Sequence, residues 1–177
     1  MHLGFLTTEK GLVEILTGVA AENRAGVRAR LVVVGEGQET EALRRAAAAA
    51  GVLDNLVVTG WVESNDLPGL PAAADLGVVY RTPSAGETSA AALRFLACGV
   101  PVAVGGLRQF LEWPESAAPR LTPGPAAAAD LARVLSRVNR DGWKERGIAA
   151  RKCYESSHRP EHSASQILDF LGNLPRV

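Results

Sequence analysis

Apolar positions along this chain follow two rhythms. Short continuous runs such as "RLVVVGEG" (30–37) end in glycine, as expected of strands buried on both faces. Between them lie longer segments in which apolar residues return every three or four positions, the spacing of one helix face. The runs predict strands in "HLGFLT", "RLVVVGEG", "NLVVTG", "LGVVYR" and "PVAVGG", with "PRLTP" as an edge strand. The spaced pattern predicts a helix through Leu12, Ile15, Leu16, Val19 and Ala20. It predicts others through Leu131, Val134, Leu135 and Val138, over 143–156, and through Ile167, Phe170, Leu171 and Leu174. "QETEALRRAAAAA" (38–50) is helical by propensity, and Gly51 is placed to close it. "SNDLPGLPAAA" is at best a short helix interrupted by proline.

Strand and helix alternating in this order predict an α/β fold: a parallel sheet of about six strands with helices on both faces. Residues 1–158 form the expected domain, and 159–177 a terminal helix that is partly exposed or packs on a neighbouring molecule. In such sheets ligands bind beyond the carboxyl ends of the strands. The small-residue loops "TTEKG", "GEGQ", "GWVES" and "TPSAGETSA" all fall there.

Composition narrows the functions. The chain has 177 residues, 47% of them hydrophobic, and its nineteen basic and nineteen acidic residues cancel. That balance gives no electrostatic case for nucleic acid as a partner. Cys98 and Cys153 lack metal-ligand spacing and are read as reduced thiols in a cytosolic protein. No signal peptide and no membrane-spanning run is visible. His2, His158 and His162 are scattered among polar neighbours and are read as surface residues. Arg133, Arg137, Arg140, Lys144, Arg146, Arg151 and Lys152 make the last third basic. A solvated face accounts for them; contact with an anionic lipid or with another domain is the competing reading.

The loop in "RTPSAGETSAAALRFLACGVPVAV" (81–104) has the most to say about chemistry. Thr88 and Ser89 stand where a helix begins, and the first N–H groups of a helix have no internal partner. The helix dipole adds partial positive charge there, and small residues let a phosphate approach. A Thr or Ser cap explains the same residues without a ligand. Glu87 and Arg94, seven positions apart, are expected on roughly the same helix face. Lys10 opposes the dipole at another helix start, which an anion would relieve. "GEGQET" lacks the third glycine of a dinucleotide fingerprint. Trp61 follows Gly60 at a strand end, either packing the rim or bordering a base.

"GETSAAALRFLACGVPVAV" resembles the donor-site segment of retaining, GT-B-fold glycosyltransferases of family four. "GFLTTEKG" resembles the first strand and loop of that family's C-terminal domain. The span from "LVVVGEGQETEALRR" to "ADLGVV" resembles its middle, and "VAVGGLRQFLE" the loop that ends in a Glu, here Glu112. The resemblance implies a Rossmann-like domain, one half of a GT-B fold. It places a nucleotide sugar, linked to UDP, GDP or ADP, against Lys10, Trp61, Val62, Arg81, Gly86, Glu87, Thr88, Ser89 and Arg94. It names no catalytic residue, and it implies neither metal nor cofactor, the nucleotide sugar being a substrate.

Departures from the family pattern qualify this. Arg94 stands where the family's ribose-binding Glu falls, and arginine only donates. The family's first Glu falls on Gly86, with Glu87 one place later. Phe5 replaces the family's diphosphate-binding Arg, and Arg108 and Gln109 replace a Gly-Gly pair. The implied function is the donor half of a hexosyltransferase, inactive without an N-terminal acceptor domain. The implied location is the cytoplasm, with peripheral contact at the inner membrane face in a full enzyme. The alternative is a non-catalytic Rossmann-like module that binds a nucleotide or a protein. Weak self-association is expected from the last helix.

Overall fold

The computed structural model describes residues 1–83 and 86–173. Ser84 and Ala85, the first residues of "SAGETSA", and Leu174, the expected end of the last helix, lie outside the described residues. Strands run over β1 (His2–Leu3), β2 (Leu31–Val34), β3 (Leu56–Val58), β4 (Gly77–Val79), β5 (Val102–Gly105) and β6 (Arg120–Leu121). Each ladder between them is parallel, with Val33 opposite both His2 and Val58 and Ala103 opposite Val78. The helices are α1 (Leu12–Arg24), α2 (Thr40–Ala49), α3 (Ala90–Ala97), α4 (Ala126–Leu135), α5 (Trp143–Ser157) and α6 (Pro160–Gly172). The proline-interrupted segment forms a 3-10 helix over Leu67–Ala73.

The expected single sheet of six strands is divided into two of three, β1-β2-β3 and β4-β5-β6. They meet where β1 lies beside β4, so the strands stand in the order β3-β2-β1-β4-β5-β6. Main-chain bonds cross this seam from the Val78 N–H to the Met1 carbonyl (2.8 Å) and from the Met1 amino group to the Leu76 carbonyl (2.7 Å). Beyond them, the Val78 carbonyl accepts from His2 Nδ1 (3.2 Å). Then β1 ends at Gly4, which turns the chain at φ 123°. His2 is therefore not the expected surface residue: it is 1% exposed, and burial pushes its pKa down to about 4. It is a neutral imidazole that donates from Nδ1 and leaves a buried Nε2 without a partner.

Two apolar layers cover the sheets. On one face α1, α2 and α4 bury Ile15, Leu16, Leu43 and Leu131 over Leu31, Val33, Val78 and Ala103. On the other, α3 and α5 bury Phe95, Leu96 and Ala150 over Val34, Val79, Val102 and Val104. The α1 face is the one its periodicity predicts. The helix pairs approach closely where glycine stands. A Cβ on Gly18 of α1 would lie 2.7 Å from the Ala128 carbonyl of α4. Asn23 closes the turn into β2, donating to the Val19 and Ala29 carbonyls (3.1 and 2.8 Å) and accepting from the Ala29 N–H. Gly51 ends α2 in the left-handed region, φ 71°, as its sequence position predicts. No residue of α6 is buried, and Ile167, Leu168, Phe170 and Leu171 are 54–68% exposed. Among the described residues no helix is long and apolar enough to cross a membrane.

Candidate functional site

The strand order reverses between β1 and β4, and the loops that leave their carboxyl ends form the crevice where open α/β sheets bind ligands. The loop after β1 becomes a 3-10 turn, Thr8–Lys10, closed by Gly11 at φ 54°. Gly11 cannot be replaced freely: a Cβ there would meet the Tyr80 ring at 2.5 Å. Tyr80 is buried below it, and its hydroxyl accepts the Gly124 N–H (2.7 Å). The glycines of "GEG" after β2 serve the same loop. A Cβ on Gly35 would lie 2.2 Å from the Gly4 carbonyl oxygen, and one on Gly37 2.3 Å from that of Leu6. These glycines thus admit the β1 loop, in keeping with the absent dinucleotide fingerprint.

The loop after β4 comes to the β1 loop by one backbone bond, from the Thr82 N–H to the Glu9 carbonyl (2.7 Å). That bond brings Arg81 toward Lys10. Lys10 is partly buried, and its pKa is lowered first by burial and then by the like charge of Arg81, with Glu9 opposing. Arg81 is paired with Glu87. The structure therefore gathers Lys10, Arg81 and Glu87 at the front of α3. Ser89 is the N-cap of α3, its Oγ accepting the Ala92 N–H (3.3 Å). The cap engages one first-turn donor, and the N–H groups of Ala90 and Ala91 precede it.

Two expectations change here. Because α3 begins at Ala90, Glu87 lies outside it, and Glu87 and Arg94 do not share a helix face. The partner of Glu87 comes from across the loop, as Arg81. Arg94 is exposed on α3, whose Ala92, Phe95 and Leu96 are buried. Gly86 and Thr88 are exposed beside this group, with Gly86 at φ 88°.

Trp61 and Val62 stand at the far end of the same edge, after β3. Trp61 is 59% exposed and lies against Phe5, 61% exposed, with ring centroids 6.1 Å apart. The edge thus has a cationic end and an aromatic end, joined by the β1 loop. Phe5 was missed as a candidate, since "HLGFLT" reads as one strand and an apolar residue in it reads as core. Its signal is that it replaces a cation in the family pattern. Among the described residues no group of three His, Cys, Asp or Glu could hold a metal ion.

The family model described as "Glycosyl transferases group 1" matches residues 1–141. The 2-deoxystreptamine glucosyltransferase of Streptomyces kanamyceticus is 31% identical over 137 residues, 77% of this chain and 35% of that protein. A Mycobacterium tuberculosis protein, described as a GDP-mannose-dependent alpha-(1-6)-phosphatidylinositol monomannoside mannosyltransferase, is 30% identical over 176 residues. That match covers 96% of this chain and 46% of the relative. The chain spans about half the length of these relatives or less. Among solved structures, Anabaena Alr3699/HepE in complex with UDP matches with a TM-score of 0.84 and 19% identity, over 98% of this chain and 48% of that one. The C-terminal domain of a group 1 glycosyltransferase from Francisella tularensis (LpcC) matches with a TM-score of 0.77 and 15% identity. It covers 90% of this chain and 85% of that domain.

Proposed function

Because this chain belongs to the glycosyl transferases group 1 family, we propose that it is the donor-binding half of a hexosyltransferase. It holds the diphosphate of a nucleotide sugar between Lys10 and the front of α3. The acceptor site belongs to a second domain, and residues 1–177 alone do not transfer sugar. The observation that carries the reading is the approach of two cations, Lys10 and Arg81, at the crevice where the strand order reverses. Two carboxylates stand with them, Glu87 paired with Arg81 and Glu9 acting on both cations.

The chemistry asked of this half is electrostatic. Breaking the bond between sugar and diphosphate leaves negative charge on the departing nucleotide. Lys10 and the first-turn N–H groups of α3 stand ready for that charge. Glu87, held by Arg81, faces the sugar, and Trp61 with Val62 borders the base. The nucleotides named with the relatives and structural neighbours differ, GDP-mannose in one and UDP in another, so the base is left to the experiment.

Calorimetry with matched nucleotides and nucleotide sugars tests the reading. Lys10→Ala removes a charge-assisted contact worth about 1.5–3 kcal/mol, a tenfold to hundredfold loss of nucleoside diphosphate affinity. Glu87→Gln leaves the bare nucleotide nearly unchanged and weakens the intact sugar nucleotide. An unchanged affinity in Lys10→Ala sinks the proposal. A second reading, a nucleotide- or protein-binding module without transfer, is favoured by Arg94, exposed where the family places a ribose acceptor. Tighter binding by Arg94→Glu would mark a drifted ribose pocket and count against that module.

A further inference from the structure

At the opposite end of the sheet from Lys10, α4 and α5 open a cleft of about 140 Å³ beside the start of β6. Its walls carry four guanidinium groups, Arg120, Arg133, Arg137 and Arg146, and two carboxylates, Glu115 and Asp130. Asp130 is already engaged: it accepts the Thr122 N–H (2.8 Å) and pairs with Arg133 (3.0 Å). Arg120, partly buried, donates to the carbonyls of Ala118 and Trp113. Arg146 donates to the carbonyls of Glu115 and Ser116 (2.8 and 3.4 Å) and lies 5.8 Å over the Trp143 ring. Carbonyls and a ring face orient these guanidinium groups but do not neutralise them. Removing a charge from water is costly, and burial pushes the pKa of Arg120 down, with the Glu115 carboxylate opposing in part. The cleft therefore has fixed donors and an excess of positive charge. Arginine forks match phosphate oxygens in pairs. Its volume is well below the roughly 300–1,000 Å³ of sites that enclose a drug-sized ligand, and suits a single headgroup.

We propose that the cleft between α4 and α5 binds a phosphoryl oxyanion at a second site, separate from the crevice at Lys10. The oxyanion belongs either to a soluble phosphorylated molecule or to the headgroup of an anionic phospholipid. The inference stands on the arginines and does not require the donor reading.

The test is a titration of the isotope-labelled 177-residue chain with inorganic phosphate, followed on the tryptophan indole N–H signals. Trp143 lines the cleft, its Nε1–H donating to the Asp75 carbonyl (3.3 Å); Trp61 reports on the other edge. Phosphate is expected to move the Trp143 signal in the parent chain and in Lys10→Ala alike. Arg137→Glu, at an exposed position, weakens that response about tenfold or more. A second arm mixes the chain with vesicles of phosphatidylcholine alone or with added phosphatidylglycerol. Capture by the anionic vesicles only, reversed by phosphate and lost in Arg137→Glu, assigns the oxyanion to a lipid headgroup. Phosphate binding without capture assigns it to a soluble molecule. A still Trp143 signal, or equal binding by Arg137→Glu, overturns the proposal. Movement of Trp61 alone overturns it too, and leaves the donor reading standing.

Discussion

The loops after β1 and β4 face each other across the crevice but are built by opposite means. The β1 loop is moulded by absent side chains: Gly35 and Gly37 let it lie against β2, and Gly11 lets it lie on Tyr80. Lys10 rides on a backbone whose position is set by packing. The β4 loop is exposed over 86–88 and is tied by the Thr82–Glu9 bond, the Arg81–Glu87 pair and the Ser89 cap. Its position rests on polar contacts near water, each worth about 1 kcal/mol or less. Under the proposed function the charge that meets the diphosphate is carried on the moulded loop, and the groups that face the sugar on the tied one.

Substitution should separate the two constructions. Gly37→Ala forces a methyl against backbone atoms of Leu6, and is expected to cost up to about 3 kcal/mol, the upper range for overpacking. Urea denaturation measures it; a change below the error of the method would mean the β1 loop is not moulded as described. A smaller effect follows from the lowered pKa of Lys10. Bound diphosphate favours the charged ammonium and raises that pKa, so binding takes up protons. Affinity therefore falls as pH rises through the lowered value, before the ordinary lysine range. Titration in buffers of different ionisation heat detects the uptake; Lys10→Arg should abolish both uptake and fall. The smallest effect is that of Gly86→Ala. Its Cβ meets nothing within 4 Å, so only the positive φ opposes it, about 1 kcal/mol. A loss equal to that of Gly37→Ala would erase the distinction between the loops.

How much of this was legible depends on how local each cause is. The β-branched runs gave β2, β4 and β5, and the spacing of Leu12, Ile15, Leu16 and Val19 gave the buried face of α1, because strand and helix periods are local. Ser89 as a cap was legible for the same reason. Lys10 stands out by its charge at a helix start and Glu87 by its spacing from Arg94, and family resemblance adds Arg81 and supports both, because it carries tertiary information that the period of a pattern lacks. What escaped was non-local. The Arg81–Glu87 pair joins residues before and after the undescribed Ser84 and Ala85, with Glu87 ahead of the start of α3 at Ala90. Phe5 meets Trp61 only because β1 and β3 end at the same edge. His2 was misread because its burial comes from β4 on one side and β2 on the other, which the polar character of a histidine near the chain start conceals.

The seam between the two sheets bears on how this molecule comes apart. Hydrogen bonding divides the sheet at β1 and β4, which would suggest a hinge or two independently melting halves. The apolar layers argue otherwise. Val33 and Val78 share one core, and Val34 and Val79 share the other, so each layer spans both sheets. A missing ladder rung is worth about 1 kcal/mol, whereas each fully buried aliphatic side chain contributes about 1.5–3 kcal/mol. Several such side chains bridge the seam on each face, and α1 grips α4 at Gly18 and Ala128. The two halves are thus expected to act as one cooperative unit and to melt in a single calorimetric transition, the lateral stiffness of the sheet lying in its side chains.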